Sequence, residues 1–121
     1  VNKKHPFPGG LALRYVKGTK AMLGFTKFPI TCVLEMDGVD GDSARNFFTA
    51  VWAKLEELNI PYTLHWGKIN FILNKKRVVN MYGKEAVDTW ITSRNMLLSA
   101  PALEIFDSEF ITNCGLNEIR N

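Results

Sequence analysis

The chain is poor in the groups that most chemistry-bearing motifs need. Its 121 residues hold two histidines and two cysteines. Neither Cys32 nor Cys114 has a second cysteine or a histidine near it at a metal-ligand spacing, so no metal site is expected. A Walker loop, a Gly-x-Gly-x-x-Gly fingerprint and a readable Ser/His/Asp arrangement are all missing, which removes the common nucleotide-binding and hydrolytic readings. No apolar run approaches the roughly 18 residues that span a bilayer. The expectation is a soluble, cytoplasmic protein with no membrane partner and two reduced, mostly buried thiols. Repeats and low-complexity segments are absent, and nothing between Leu11 and Leu116 reads as a linker. The first residue is valine, and residues 1–10 (VNKKHPFPGG) are too polar for a signal peptide, so the chain is expected to begin partway through something larger.

What is present suits one compact unit. Apolar residues make up 46% of the chain, enough for one modest core. Fifteen basic against twelve acidic residues leave a net charge of +3, mildly basic and short of a nucleic-acid tail. Lys75-Lys76-Arg77 concentrates some of that charge and reads as a solvated face.

Residues 11–17 alternate, with Leu11, Leu13 and Tyr15 on one side and Ala12, Arg14 and Val16 on the other, as in a half-buried strand. Residues 30–36 form the second expected strand. The DGVDGDS loop then offers Asp42 or Ser43 as an N-cap, because a side-chain oxygen there accepts from an orphan amide. In the helix that follows, Phe47, Phe48, Val51, Trp52, Leu55 and Leu58 recur at helical spacing until Asn59, and Pro61 forbids its return. Residues 62–66 read as a third strand. Beyond Lys68 the pattern turns helical. A short helix is expected over 75–82 with Gly83 as its cap, and a longer one over 85–98 burying Val87, Trp90, Ile91, Leu97 and Leu98. Pro101 suits the first turn of another, running to Phe106. The fold class expected is α+β: a small, mostly antiparallel sheet with helices packed on one face and a helical C-terminal part.

The informative stretch is IPYTLHWGKIN, residues 60–70. It sets His65 and Lys68 on either side of Trp66 and Gly67, where a strand should give way to a loop. A mobile cation behind a glycine at such an exit can receive an anion or an electron-rich ring. Against this stands the plainer reading, an imidazole held at the sheet edge with Trp66 in the core.

These residues carry a resemblance. HWGK after a proline, followed by Trp90, Arg94, Leu97, Leu98, Pro101, Ala102, Phe106, Phe110 and Gly115-Leu116, resembles the C-terminal part of FAD-linked oxidases of the vanillyl-alcohol oxidase superfamily. The branch it most resembles contains the alditol oxidases and aldonolactone oxidases, D-arabinono-1,4-lactone oxidase-like enzymes among them. The likeness runs from Gly10 to Leu116; the four-residue motif is its specific part. The resemblance implies that residues 1–121 are a substrate-binding or cap segment, with residues from about 65 onward closing over a flavin domain. It implies FAD as cofactor, an N-terminal FAD-binding domain of the same protein as partner, and a small alcohol as substrate. His65 would lie against the isoalloxazine. Lys68 would bind both cofactor and substrate, where a cation offsets the negative charge that develops as hydride arrives.

Two departures qualify it. Where the family reads Glu-x-Arg on a strand facing substrate, this chain has Ala12-Leu13-Arg14. The arginine is kept and its carboxylate lost, and a buried arginine without a partner is costly. Glu35 is the expected compensation, reaching Arg14 across an antiparallel ladder; the alternative is a solvated strand residue. Where the family reads Phe-x-Asn-x-Phe-Leu, this chain has Phe106 to Ile111 with Ser108 in place of the asparagine, so Ser108 is not taken as a cofactor ligand. The implied catalytic residues are Lys68 and Arg14, with Arg14, Glu35 and Lys68 binding substrate. The isolated chain is expected to be inactive. The rival reading is a small basic ββαβ module that stacks single-stranded nucleic acid on Tyr15 and Trp66 with Lys17 and Lys75 to Arg77 nearby. A third is a stable fragment with no activity.

Overall fold

A computed structural model describes residues 9–118. Among them are two strands, β1 (Gly9–Lys17) and β2 (Ile30–Gly38), followed by five helices: α1 (Asp42–Glu57), α2 (Lys75–Tyr82), α3 (Lys84–Leu97), α4 (Ala100–Ile105) and α5 (Glu109–Asn113). The class is α+β, with a two-stranded antiparallel sheet and a helical second half. No helix among the described residues is long and apolar enough to cross a membrane.

The chain divides into two compact units, not the single one its size suggests. One comprises residues 9–19 and Thr26–Tyr62; the other comprises Lys20–Phe25 and residues 63–118. The connector between the strands is thus divided between them, an arrangement with no local signature.

In the first unit β1 pairs with β2 so that Leu13 faces Leu34 and Tyr15 faces Cys32. Directly paired residues share a face in an antiparallel ladder. Leu11, Leu13, Tyr15, Ile30, Cys32, Leu34 and Met36 therefore line one side, and Ala12, Arg14, Val16, Thr31, Val33 and Glu35 the other. Thr31 is buried and Val33 and Glu35 are half-buried, whereas every residue of β1 is exposed. The half-buried strand expected over residues 11–17 is therefore fully open, and Cys32 is exposed, not buried. Gly18 closes the hairpin: its N–H donates to Pro29 O at 3.0 Å, and a Cβ there would lie 2.3 Å from Phe28 O. α1 buries Ala44, Phe48 and Trp52, while Leu58 is exposed. Its N-cap is Gly41 without a side-chain bond, and Asp42 instead sits in the first turn, where a negative charge favours the exposed amides.

The second unit has the closed core. Val78, Ile91 and Cys114 are fully buried, with Leu23, Leu73, Met81, Val87 and Leu116 around them. Asn74 accepts from Arg77 N–H to cap α2. Gly83 ends it at φ +84°, a left-handed position that glycine takes without penalty. α3 begins and ends one residue earlier than its periodicity suggests. Its Val87 and Ile91 are buried and Trp90 and Leu98 half-buried, but Leu97 is 82% exposed. α4 takes Pro101 in its first turn as expected, and α5 escaped sequence reading because five residues carry too little periodicity. The third strand is not formed: residues 60–65 have no regular structure. With it goes the ββαβ order.

Candidate functional site

The HWGK motif is a turn, and Trp66 explains why. Its indole N–H donates to Leu23 O at 2.7 Å, and Thr63 Oγ1 donates to Phe25 O. Its ring stacks on Tyr82 with centroids 5.8 Å apart and meets Phe110 edge-on at 6.1 Å. Residues 63–66 thus satisfy themselves through side-chain bonds to carbonyls of Lys20–Phe25 in place of a ladder. Pro61, lacking an N–H, cannot help to start one. Leu23 is itself held at φ +55°, a costly conformation for a residue with a Cβ. It is retained because its side chain is buried and its carbonyl takes the indole.

With Trp66 drawn inward, its neighbours turn outward. Lys68 N–H donates to His65 O at 3.1 Å, closing the turn, and Asn70 Nδ2 donates to Trp66 O at 2.7 Å, bracing it. Gly67 N–H donates to His65 Nδ1 at 3.1 Å. In neutral imidazole the accepting nitrogen carries no proton, so the proton resides on Nε2. One face of the ring packs on Phe25, centroids 4.7 Å apart. His65 and Lys68 are both exposed, giving an oriented N–H donor and a flexible ammonium three residues apart on a fixed turn. Gly67 has a smaller role than its position suggests, since a Cβ there would touch His65 only at an ordinary 3.5 Å.

Burial of the Tyr82 hydroxyl pushes its pKa up to about 12, with the Trp66 indole pulling the other way. Tyr82 therefore stays neutral under the stacked indole, and burial likewise raises the Cys114 thiol.

In the first unit Arg14 and Glu35 form the expected pair. Arg14 Nη2 lies 2.7 Å from Glu35 Oε2, with the arginine side chain 68% and the glutamate 29% exposed. Ala12, not Arg14, is the direct ladder partner of Glu35, so the contact is a diagonal on one face. The arginine is solvated, and the missing carboxylate at position 12 costs far less than a buried cation would. The structure thus joins Arg14 to Glu35 and His65 to Lys68, each pair within a different unit.

Other sequence candidates have structural employment. Ser108 Oγ accepts from Ile111 N–H and caps α5. Asn117 donates to Asp107 Oδ2 and holds that carboxyl below its usual range. Lys75 pairs with Glu118, and Arg77 Nη1 donates to Ile72 O at 3.2 Å, so the Lys75 to Arg77 cluster is largely spent on structure. The residues that sequence reading missed are the supports, Leu23, Phe25, Thr63 and Asn70, whose signal was only a Thr and an Asn flanking HWGK. Comparison with protein-family models, curated proteins and solved structures finds no match to this chain.

Proposed function

We propose that this chain supplies the C-terminal, substrate-side part of an FAD-dependent oxidoreductase acting on an alcohol: a sugar, an alditol or a lactone-like compound. The observation that supports the reading is the 65–68 turn, which presents an imidazole Nε2–H and an ammonium to solvent while Trp66 anchors it inside. That donor set fits the electron-rich edge of an isoalloxazine. It does not fit the pyrophosphate, which needs converging backbone N–H groups at a helix N-terminus. We assign tight binding to an N-terminal FAD-binding domain of the same protein as partner.

When bound, FAD would accept the hydride removed from the carbinol carbon while the hydroxyl proton passes to solvent, leaving a carbonyl. Lys68 offsets the negative charge that grows as this happens, and His65 donates from Nε2 to hold the ring. Lys68 also orients the substrate hydroxyl. Two free thiols suit a reducing, cytoplasmic compartment.

The test has two parts. The 121-residue chain should purify colourless and without turnover; a stoichiometric yellow flavoprotein would overturn the division of labour. Excess FAD should show weak, salt-sensitive fluorescence quenching that Lys68→Met abolishes. Quenching equal in the variant removes Lys68 from the flavin's edge. Tight binding of single-stranded RNA with a steep salt dependence would instead favour the rival module.

A further inference from the structure

The sheet face opposite Arg14 and Glu35 is left uncovered within its own unit. Leu11, Leu13, Tyr15, Ile30 and Leu34 on it are 61%, 65%, 77%, 71% and 43% exposed, and Cys32 among them is exposed as well. Taking about 150–250 Å² for a large side chain in the open, these residues offer roughly 600 Å² of mostly apolar surface, the upper end of what the largest patch of a monomer ordinarily reaches. A stable pairwise interface needs about 800 Å² from each partner. Met36 and the aliphatic stem of Lys17, on the same face, bring this surface close to that requirement. A two-stranded hairpin is also marginal by itself.

We infer that this face packs against the same face of a second copy of the chain, as two sheets stacked about 10 Å apart. Self-pairing is favoured by the charge pattern. The face carries no acid and one cation, Lys17, at its end. A two-fold axis lying across the strands sends the two Lys17 side chains to opposite ends. No charge is then buried and no like pair is formed. Tyr15 and Leu34, central and large, are the anchoring side chains. The dimer uses the side of the sheet away from Arg14 and Glu35 and does not depend on the flavin reading.

The experiment is sedimentation of the 121-residue chain with thiol labelling of Cys32. Wild type should run at twice the 13.7 kDa of one chain, with a Kd on the order of micromolar or tighter. Leu13→Lys with Leu34→Lys should give a monomer of unchanged circular dichroism whose Cys32 reacts with maleimide at least about tenfold faster. In the unmutated chain the labelling rate of Cys32 should fall as concentration rises, which keeps the test valid even where the lysine variant fails to fold. A wild-type monomer, a dimer that survives the double substitution, or labelling independent of concentration overturns the proposal. So does dissociation caused by Met96→Lys with Leu97→Lys, which would move the interface to the exposed end of α3.

Discussion

The two units solve the burial problem differently. The second, from the 65–68 turn through α5, closes around Val78, Ile91 and Cys114, none of which reaches solvent. The first buries Ala44, Phe48 and Trp52 of α1 and leaves one side of its hairpin bare. Helices separated by short turns can enclose a core locally, because each presents a stripe to its sequence neighbours. A hairpin has two faces and two edges, and one helix covers only part of them. The comparison teaches that the second unit encloses a core by its own packing, whereas the first leaves large apolar side chains uncovered within itself.

The largest test of that contrast is Ile91→Ala. Removing a fully buried side chain should cost about 2–5 kcal/mol, read by urea denaturation. Hydrogen exchange should show α2 and α3 losing protection while α1 keeps it. Equal loss in both would show one cooperative block and break the distinction. Next comes Trp66→Phe, which keeps an aromatic ring but deprives Leu23 O of its donor. A loss of roughly 1–3 kcal/mol is expected, with looser exchange at 63–70, whereas full stability would mean the indole bond does not hold the turn.

The pH response should be smaller. Tyr82 has its folded pKa raised from 10.0 to about 12, so its contribution is fully present below pH 10 and is lost as pH rises toward 12. Solvent screening at this half-buried site trims the effect. Tyr82→Phe should flatten the difference in stability between pH 10 and 12, and an unchanged slope would assign it to other groups. Smallest of all, Arg14→Ala or Glu35→Ala should change stability by only about 0–1 kcal/mol. A greater loss would show that this side of the first unit is less open than its exposure indicates.

Much of this architecture was legible from periodicity and punctuation. Residues 75–82 with Gly83 as cap, the end of α1 before Asn59, and Pro101 at the start of α4 appear as expected, since capping and steric rules act within a turn or two of the chain. The Arg14–Glu35 contact was also foreseen, because strand parity alone limits which side chains can meet. The third strand was misread. Residues 62–66 are held instead by Thr63 and Trp66, whose side chains bond to carbonyls about 40 residues earlier. Leu97 was misread as buried because helical spacing identifies a stripe without saying how far along it a neighbour extends.

The sequence by itself determined the α+β class, the extent of α2, the end of α1 and the pairing parity of the hairpin, all governed by interactions between residues close along the chain or fixed by the two-residue repeat of a strand. Only the tertiary structure decided that the strand connector is divided between two units, that HWGK is a turn hung from the Leu23 carbonyl, and that the leucines of β1 find no cover within their own unit. Each depends on which distant surface is available to cover a given side chain, and a linear pattern records an appetite for burial without naming what satisfies it.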